Sequence, residues 1–146
     1  MTNLFRKIAL ILLVFISSLS YAQNKEVDSL IQKLDNKDAY IVLTKTTSPR
    51  LKGNTANRII EIGKMASPEL IKILDSQSQG VAAHFILSKI WQEVWEEEVC
   101  CNIRSVGEIE ILTINGLEIR VENNVLYSTQ ESLKRKKEIW KKLCQV

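Results

Sequence analysis

Asn115-Gly116 lies between two stretches of alternating apolar side chains, residues 108–114 and 117–122, and it fixes how those residues must pair. Both residues accept the positive φ angles of a type I′ turn, whose twist matches that of paired strands, so the dipeptide predicts a two-residue hairpin. The turn also sets the register. Ile114 meets Leu117, Leu112 meets Ile119 and Glu110 meets Val121, which puts Leu112, Ile114, Leu117, Ile119 and Val121 on one apolar face. Thr113, Glu118, Arg120 and Glu122 fall on the other face, with Ile109 and Ile111 less comfortably among them. Asn123-Asn124 can turn the chain again, making 125–127 a third strand. Ser128-x-x-Glu131 then has the pattern of a capping box that opens a final helix, with Leu133, Ile139, Trp140 and Leu143 at its apolar positions.

Upstream the apolar period changes from two to 3.6. Val27, Leu30, Ile31 and Leu34 stand at i, i+3, i+4 and i+7, which predicts a short helix over 26–35. Residues 38–47 combine β-branched content with helical neighbours, and the neighbours favour helix. Ser48-Pro49 and Gly53-Asn54 mark a loop. Ala56, Ile59, Ile60, Gly63 and Ala66 form a second helical stripe. Ser67-Pro68-Glu69 restarts a helix, with Ser67 as its cap, Pro68 where no N–H is needed and Glu69 at the positive end of the dipole. Leu70, Ile71 and Leu74 form its buried face. A polar break from Asp75 to Gly80 precedes a further helix from Val81, with Ala82, Phe85, Ile86 and Ile90 on one side.

Ile62-Gly63, Ala66, Pro68, Leu70-Ile71, Leu74-Asp75, Val81-Ala82-Ala83 and Ile86-Leu87 together resemble one unit of the HEAT-like helical repeats, over residues 54–91. Residues 58–65 and 83–90 echo one another faintly. The resemblance implies stacked antiparallel helix pairs and a binding surface, and it brings no catalytic residue. A stack of so few units exposes an apolar end that something must close. The expected fold is therefore mainly α, with HEAT-like antiparallel helix pairs over 23–99. An antiparallel hairpin or meander and a C-terminal helix over 100–146 would complete a single domain.

The start of the chain reads as an address. Arg6 and Lys7 precede the unbroken apolar run Ile8 to Ile16, and Ser20-Tyr21-Ala22 supplies small residues before a cleavage point. Nine apolar residues fall well short of the ~20 that span a bilayer. Residues 1–22 are thus expected to be a secretory signal cut after Ala22. The mature chain, 23–146, would be exported to the periplasm or beyond the cell, with no stable membrane span. Hydrophobic residues at 45%, charged at 25% and only five Gly and two Pro exclude a disordered or collagen-like chain. Charge is uneven: residues 23–90 carry +3, 91–128 carry −6 and 129–146 carry +4. Mutual docking or two solvated faces accounts for such a split better than a ligand site does.

Few residues invite chemistry. Cys100, Cys101 and Cys144 lie in a chain expected to meet oxidising conditions. They allow one bridge, Cys101–Cys144 or Cys100–Cys144, beside the alternative of buried free thiols. His84 is the only histidine, so a Ser-His or Cys-His mechanism would have to run through it. Too few N and S ligands surround it for zinc, and no metal or cofactor is expected. Glu93, Glu96, Glu97 and Glu98 read as a solvated acidic flank, because glycosidase pairs converge from separate elements. The glycines form no phosphate loop. The run Lys134 to Lys137, with Lys141 and Lys142, reads as a solvated helix face and not as a nucleic-acid site.

His84, Ser88, Trp91 and Trp95 recur at helical spacing as the candidate interaction surface, since Trp is enriched at hot spots; the competing reading packs the tryptophans beneath the hairpin. The functional expectation is a non-catalytic exported module that binds another protein or acts as a scaffold. An inhibitor or immunity-type protein for a secreted partner is a variant of it. The rival is a small hydrolase using His84 or the glutamates. Cleavage after Ala22 is checked by intact mass of the exported protein: its first residue should be Gln23, and a chain retaining residues 1–22 would refute the signal.

Overall fold

The structure, a computed structural model, describes residues 24–43, 47–92, 101–106 and 109–145. Residues 1–22, expected to be a secretory signal, and Glu93, Trp95, Glu96, Glu97, Glu98 and Cys100 lie outside the described residues. The described chain begins with helix α1 over 24–31 and a 3-10 turn, Asn36–Asp38. Strands β1 (Ala39–Leu43) and β2 (Thr47–Leu51) follow. Helix α2 (Asn54–Ile62) continues through a 3-10 turn, Gly63–Ala66, into α3 (Ser67–Ile73). After α4 (Gly80–Ile90) come β3 (Cys101–Val106), β4 (Ile109–Ile114), β5 (Leu117–Glu122), β6 (Val125–Tyr127) and α5 (Gln130–Cys144).

This is a mixed α/β fold, which corrects the mainly α, HEAT-like expectation. Six described strands form two antiparallel sheets, one of order β1-β2 and one of order β3-β4-β5-β6. The segment expected to be helical near residue 40 is a strand. Ala39 to Leu43 pairs with Thr47 to Leu51, Tyr40 opposite Arg50, so strand pairing overrides the pull of the neighbouring helices.

The second sheet bears out the hairpin. Asn115 and Gly116 take φ of 45° and 75°, and the pairs Ile114–Leu117 and Leu112–Ile119 form as the turn requires. Val125–Tyr127 adds its strand. The unforeseen member is β3, whose Cys101 stands opposite Ile114. Ile114, Leu117 and Ile119 are fully buried, whereas Val121 is 53% exposed. Val121 pairs with Leu126 of the three-residue β6, at the end of the sheet.

The core centres on α4. Every residue from Gly80 to Ser88 is buried, so the helix has no solvent face in that stretch. A repeat helix keeps an outer face, whereas a helix apolar all round belongs in the middle of a fold. α2, α3, β1, β2 and the Asn36 turn all pack on it. α5 lies beside it and along α3. The side chain of Leu133 approaches Gly80, Lys137 reaches the Lys72 carbonyl at 2.7 Å, and Gln130 Nε2 donates to the Asp75 carbonyl at 2.8 Å. Gly80 is required there. A Cβ on it would stand 2.3 Å from the Leu74 carbonyl oxygen.

Buried helix ends must have their polar groups met. No side chain of its own cap serves α4. Instead the buried Asn36 reaches across: its Oδ1 accepts from Val81 N at 3.0 Å and Ala82 N at 3.1 Å, and its Nδ2 donates to the Gln77 carbonyl. Gln79 returns the service, donating from Nε2 to the carbonyl of Ile31 at the end of α1 and to that of Leu34 just beyond it. Two loops thus cap each other's helices. Ser67 caps nothing, because α3 continues directly from the preceding turn. The cap of α5 is Thr129, which accepts from Ser132 N, while Ser128 Oγ donates to the Glu118 carbonyl. Asn36→Ala strands two buried N–H groups and should cost about 2–3 kcal/mol in urea unfolding. A loss within a few tenths of wild type would show that the capping is dispensable.

Candidate functional site

His84 projects from the middle of α4 and is fully buried. Its two nitrogens join α4 to two other elements. Trp140 of α5 donates from its indole Nε1 to His84 Nδ1 at 3.0 Å. An indole nitrogen can only donate, so Nδ1 is the bare acceptor and the imidazole proton sits on Nε2. That proton goes to the Ile114 carbonyl, 2.9 Å away, at the end of β4. Both ring nitrogens are therefore occupied by the fold. The Trp140 and His84 rings meet nearly edge-on, with centroids 6.0 Å apart.

The surroundings keep this ring neutral. Burial drives the His84 pKa down to about 3, and the nearby Lys136 ammonium pushes the same way against the pull of the Ile114 carbonyl. Lys136 sits one turn before Trp140 on α5 and is only 3% exposed. Its Nζ lies 5.9 Å from the Trp140 ring centroid and beside the hairpin turn, where a Cβ on Gly116 would be 3.2 Å away. Burial, with the Arg135 charge behind it, lowers the Lys136 pKa to about 8. A base must reach a substrate proton. The His84 imidazole has no free lone pair and no solvent access.

A second polar cluster marks the far end of the helical layer. Ser67 Oγ accepts from Trp91 Nε1 at 2.9 Å. The Ser67 hydroxyl also interacts with the thiol of Cys144, favouring its charged form, but burial prevails and pushes that thiol upward. Lys64 Nζ stands 4.6 Å from the centroid of the half-buried Trp91 ring.

The proposed stripe is therefore not one surface. His84 and Ser88 are interior, Trp91 is half-buried against Ser67 and Lys64, and Trp95 lies outside the described residues. Cys144 carries a free thiol directed at α3; Cys100 and the Cys101 side chain lie outside the described residues. The basic run is divided as well. Lys134 and Arg135 are exposed, Lys136 is buried, and Lys137 donates to Asp75 Oδ1 at 2.7 Å, holding that carboxyl below its usual range. Cationic α5 thus reaches an acid outside the acidic middle stretch, where Glu118 pairs with Arg104. Among the described residues no three His, Cys, Asp or Glu side chains are grouped to hold a metal. No described helix is long and apolar enough to cross a membrane.

No family model, curated protein or solved structure matches the chain. The likeness of residues 54–91 to a HEAT-like unit rests on those residues alone. Sequence reasoning missed Trp140 as the partner of His84, although a signal was there. His84 is the one titratable residue between Gly80 and Ser88, and a buried imidazole needs a donor and an acceptor from elsewhere.

The His84 linkage has a definite sign. The unfolded imidazole, near 6.5, binds a proton before the folded one, near 3. The neutral ring's contribution is complete above pH 6.5 and is lost as pH falls toward 3, by ~1.4 kcal/mol per pH unit. Urea midpoints should fall more steeply between pH 6.5 and 4.5 for wild type than for His84→Gln. Parallel slopes would mean that His84 titrates normally when folded.

Proposed function

We propose that the mature chain is a non-catalytic, exported protein-binding module. The observation that carries this reading is the double engagement of His84, which removes from surface chemistry the one imidazole a hydrolase could use. The glutamates that a hydrolase would use instead form a single run in sequence, unlike carboxylates that converge across a cleft.

The surface that best suits a partner lies on the outer side of α5. Ile139 and Leu143 stand one turn apart, 40% and 36% exposed, with exposed Arg135 one turn before Ile139 and exposed Lys142 beside Leu143. Two aliphatic side chains bracketed by cations complement a protein segment that is partly apolar and acidic. This replaces the His84, Ser88, Trp91 and Trp95 stripe as the candidate interface. The segment 1–22 and the apolar run within it support export as the setting in which that partner is met.

Cross-linking the mature protein in envelope extract, followed by mass spectrometry, should recover one stoichiometric partner. Ile139→Asp with Leu143→Asp should weaken its capture at least tenfold while leaving the far-UV spectrum unchanged. Hydrolysis of an ester, peptide or glycoside panel at a rate proportional to protein, and lost in His84→Gln, would overturn the reading.

A further inference from the structure

The edge of a sheet presents backbone groups that can pair with another chain, and folded proteins guard such edges with proline, shortness or cover. β2 contains Pro49, which has no N–H, while β1 and the three-residue β6 lie against one another. β3 has none of these guards. It runs six residues from Cys101 to Val106 at the end of its sheet, and among the described residues no strand flanks its outer side. Asn102, Ile103 and Arg104 are all exposed. The one charge on the strand reaches back across its own sheet, Arg104 Nη2 donating to Glu118 Oε1 at 2.7 Å.

The hairpin turn settles which groups of β3 point away from β4. Residues flanking a two-residue turn bond each other, so the N–H and C=O of Ile114 are aimed at Leu117. The second lone pair of that carbonyl serves His84. Direction alternates along a strand, so the same groups of Thr113 and Ile111 are aimed the other way, at β3. There they meet Asn102 and Arg104, their partners in register. Cys101, Ile103 and Ser105 therefore turn their N–H and C=O groups outward. Ile103 also shares the core-facing side of the sheet with Leu112 and Ile119, yet it is 47% exposed.

We propose that β3 is the seam of a homodimer, in which two copies pair it antiparallel about a two-fold axis at Ile103 and join their sheets into one. A two-fold contact must be self-complementary. This centre satisfies that demand in backbone and side chains together. Ile103 faces its own counterpart, and Cys101 of each copy faces Ser105 of the other, so every outward residue meets an outward one. On one side of the joined sheet Ile103 packs on Ile103. On the other, Asn102 of each copy stands beside Arg104 of its neighbour, and like charges do not meet. An axis at Arg104 would set two guanidinium groups against each other and oppose residues already bonded to β4. An axis between residues 103 and 104 would set an outward residue against an inward one. The seam uses none of the α5 side chains assigned to a partner above, so the two readings stand or fall separately.

Sedimentation equilibrium of the mature chain, with amide hydrogen exchange read by NMR, tests the seam. A reversible dimer should form as concentration rises toward ~1 mM, as suits a strand pair smaller than the ~1,200 Å² of a standard interface. The amides of Ile103 and Ser105 should exchange freely in dilute solution and at least tenfold more slowly in the dimer, whereas those of Asn102 and Arg104 should be slow in both. Ile103→Pro removes only an outward N–H, so it should keep the far-UV spectrum and abolish the dimer. Ile103→Lys leaves the backbone groups in place and should weaken dimerisation at least tenfold by setting like charges face to face. A chain that stays monomeric up to ~1 mM would overturn the proposal, and so would a dimer that neither variant weakens.

Discussion

A neutral imidazole sealed inside the protein ties its parts together. His84 sits where α4, the end of β4 and α5 converge, and none of these elements touches the ring by chance. The indole of Trp140 fills one nitrogen and the Ile114 carbonyl takes the proton of the other. A buried polar group with both partners in place is directional in a way that apolar packing is not. It fixes the rotation of α4, the depth of the hairpin and the position of α5 along its axis. The surrounding apolar contacts supply attraction, and the imidazole supplies register.

The same interaction takes the His84 imidazole out of reactive chemistry. A histidine used as a structural connector is unavailable as a base. Its neighbours reinforce that role, because Lys136 adds a positive charge to an environment already hostile to imidazolium. Elsewhere three polar side chains serve the backbone. Asn36 meets the first N–H groups of α4, Gln79 the carbonyls of Ile31 and Leu34, and Ser128 the carbonyl of Glu118. These side chains tie helix and strand ends to distant parts of the fold.

Some of this was legible in the chain. Asn115-Gly116 determined a hairpin and its pairs because both its turn geometry and its apolar alternation are local. The helices from Asn54 to Ile90 were legible for the same reason. What failed was long-range. Residues 39–43 become a strand only because 47–51 lies opposite, and β3 exists only against β4. Periodicity was also misleading on α4. Ala82, Phe85, Ile86 and Ile90 suggested one buried side, yet Val81, Ala83 and Leu87 on the other side are just as apolar. That all-round composition was the visible sign of a central helix, and it placed His84 and Ser88 inside. Ser67 and Ser128 followed capping patterns, but a tertiary partner claimed each hydroxyl: Trp91 for Ser67, and the Glu118 carbonyl for Ser128. The partner of His84 lies 56 residues away, beyond the reach of any local pattern.

The central claim concerns the protonation of one ring, and nitrogen-15 NMR of the His84 imidazole reads it directly. Across pH 4 to 8 the spectrum should show a single neutral form, with the proton on Nε2 and a bare Nδ1, and the Trp140 indole proton shifted by its hydrogen bond. A ring that titrates near its ordinary value of 6.5, or carries its proton on Nδ1, would contradict the account.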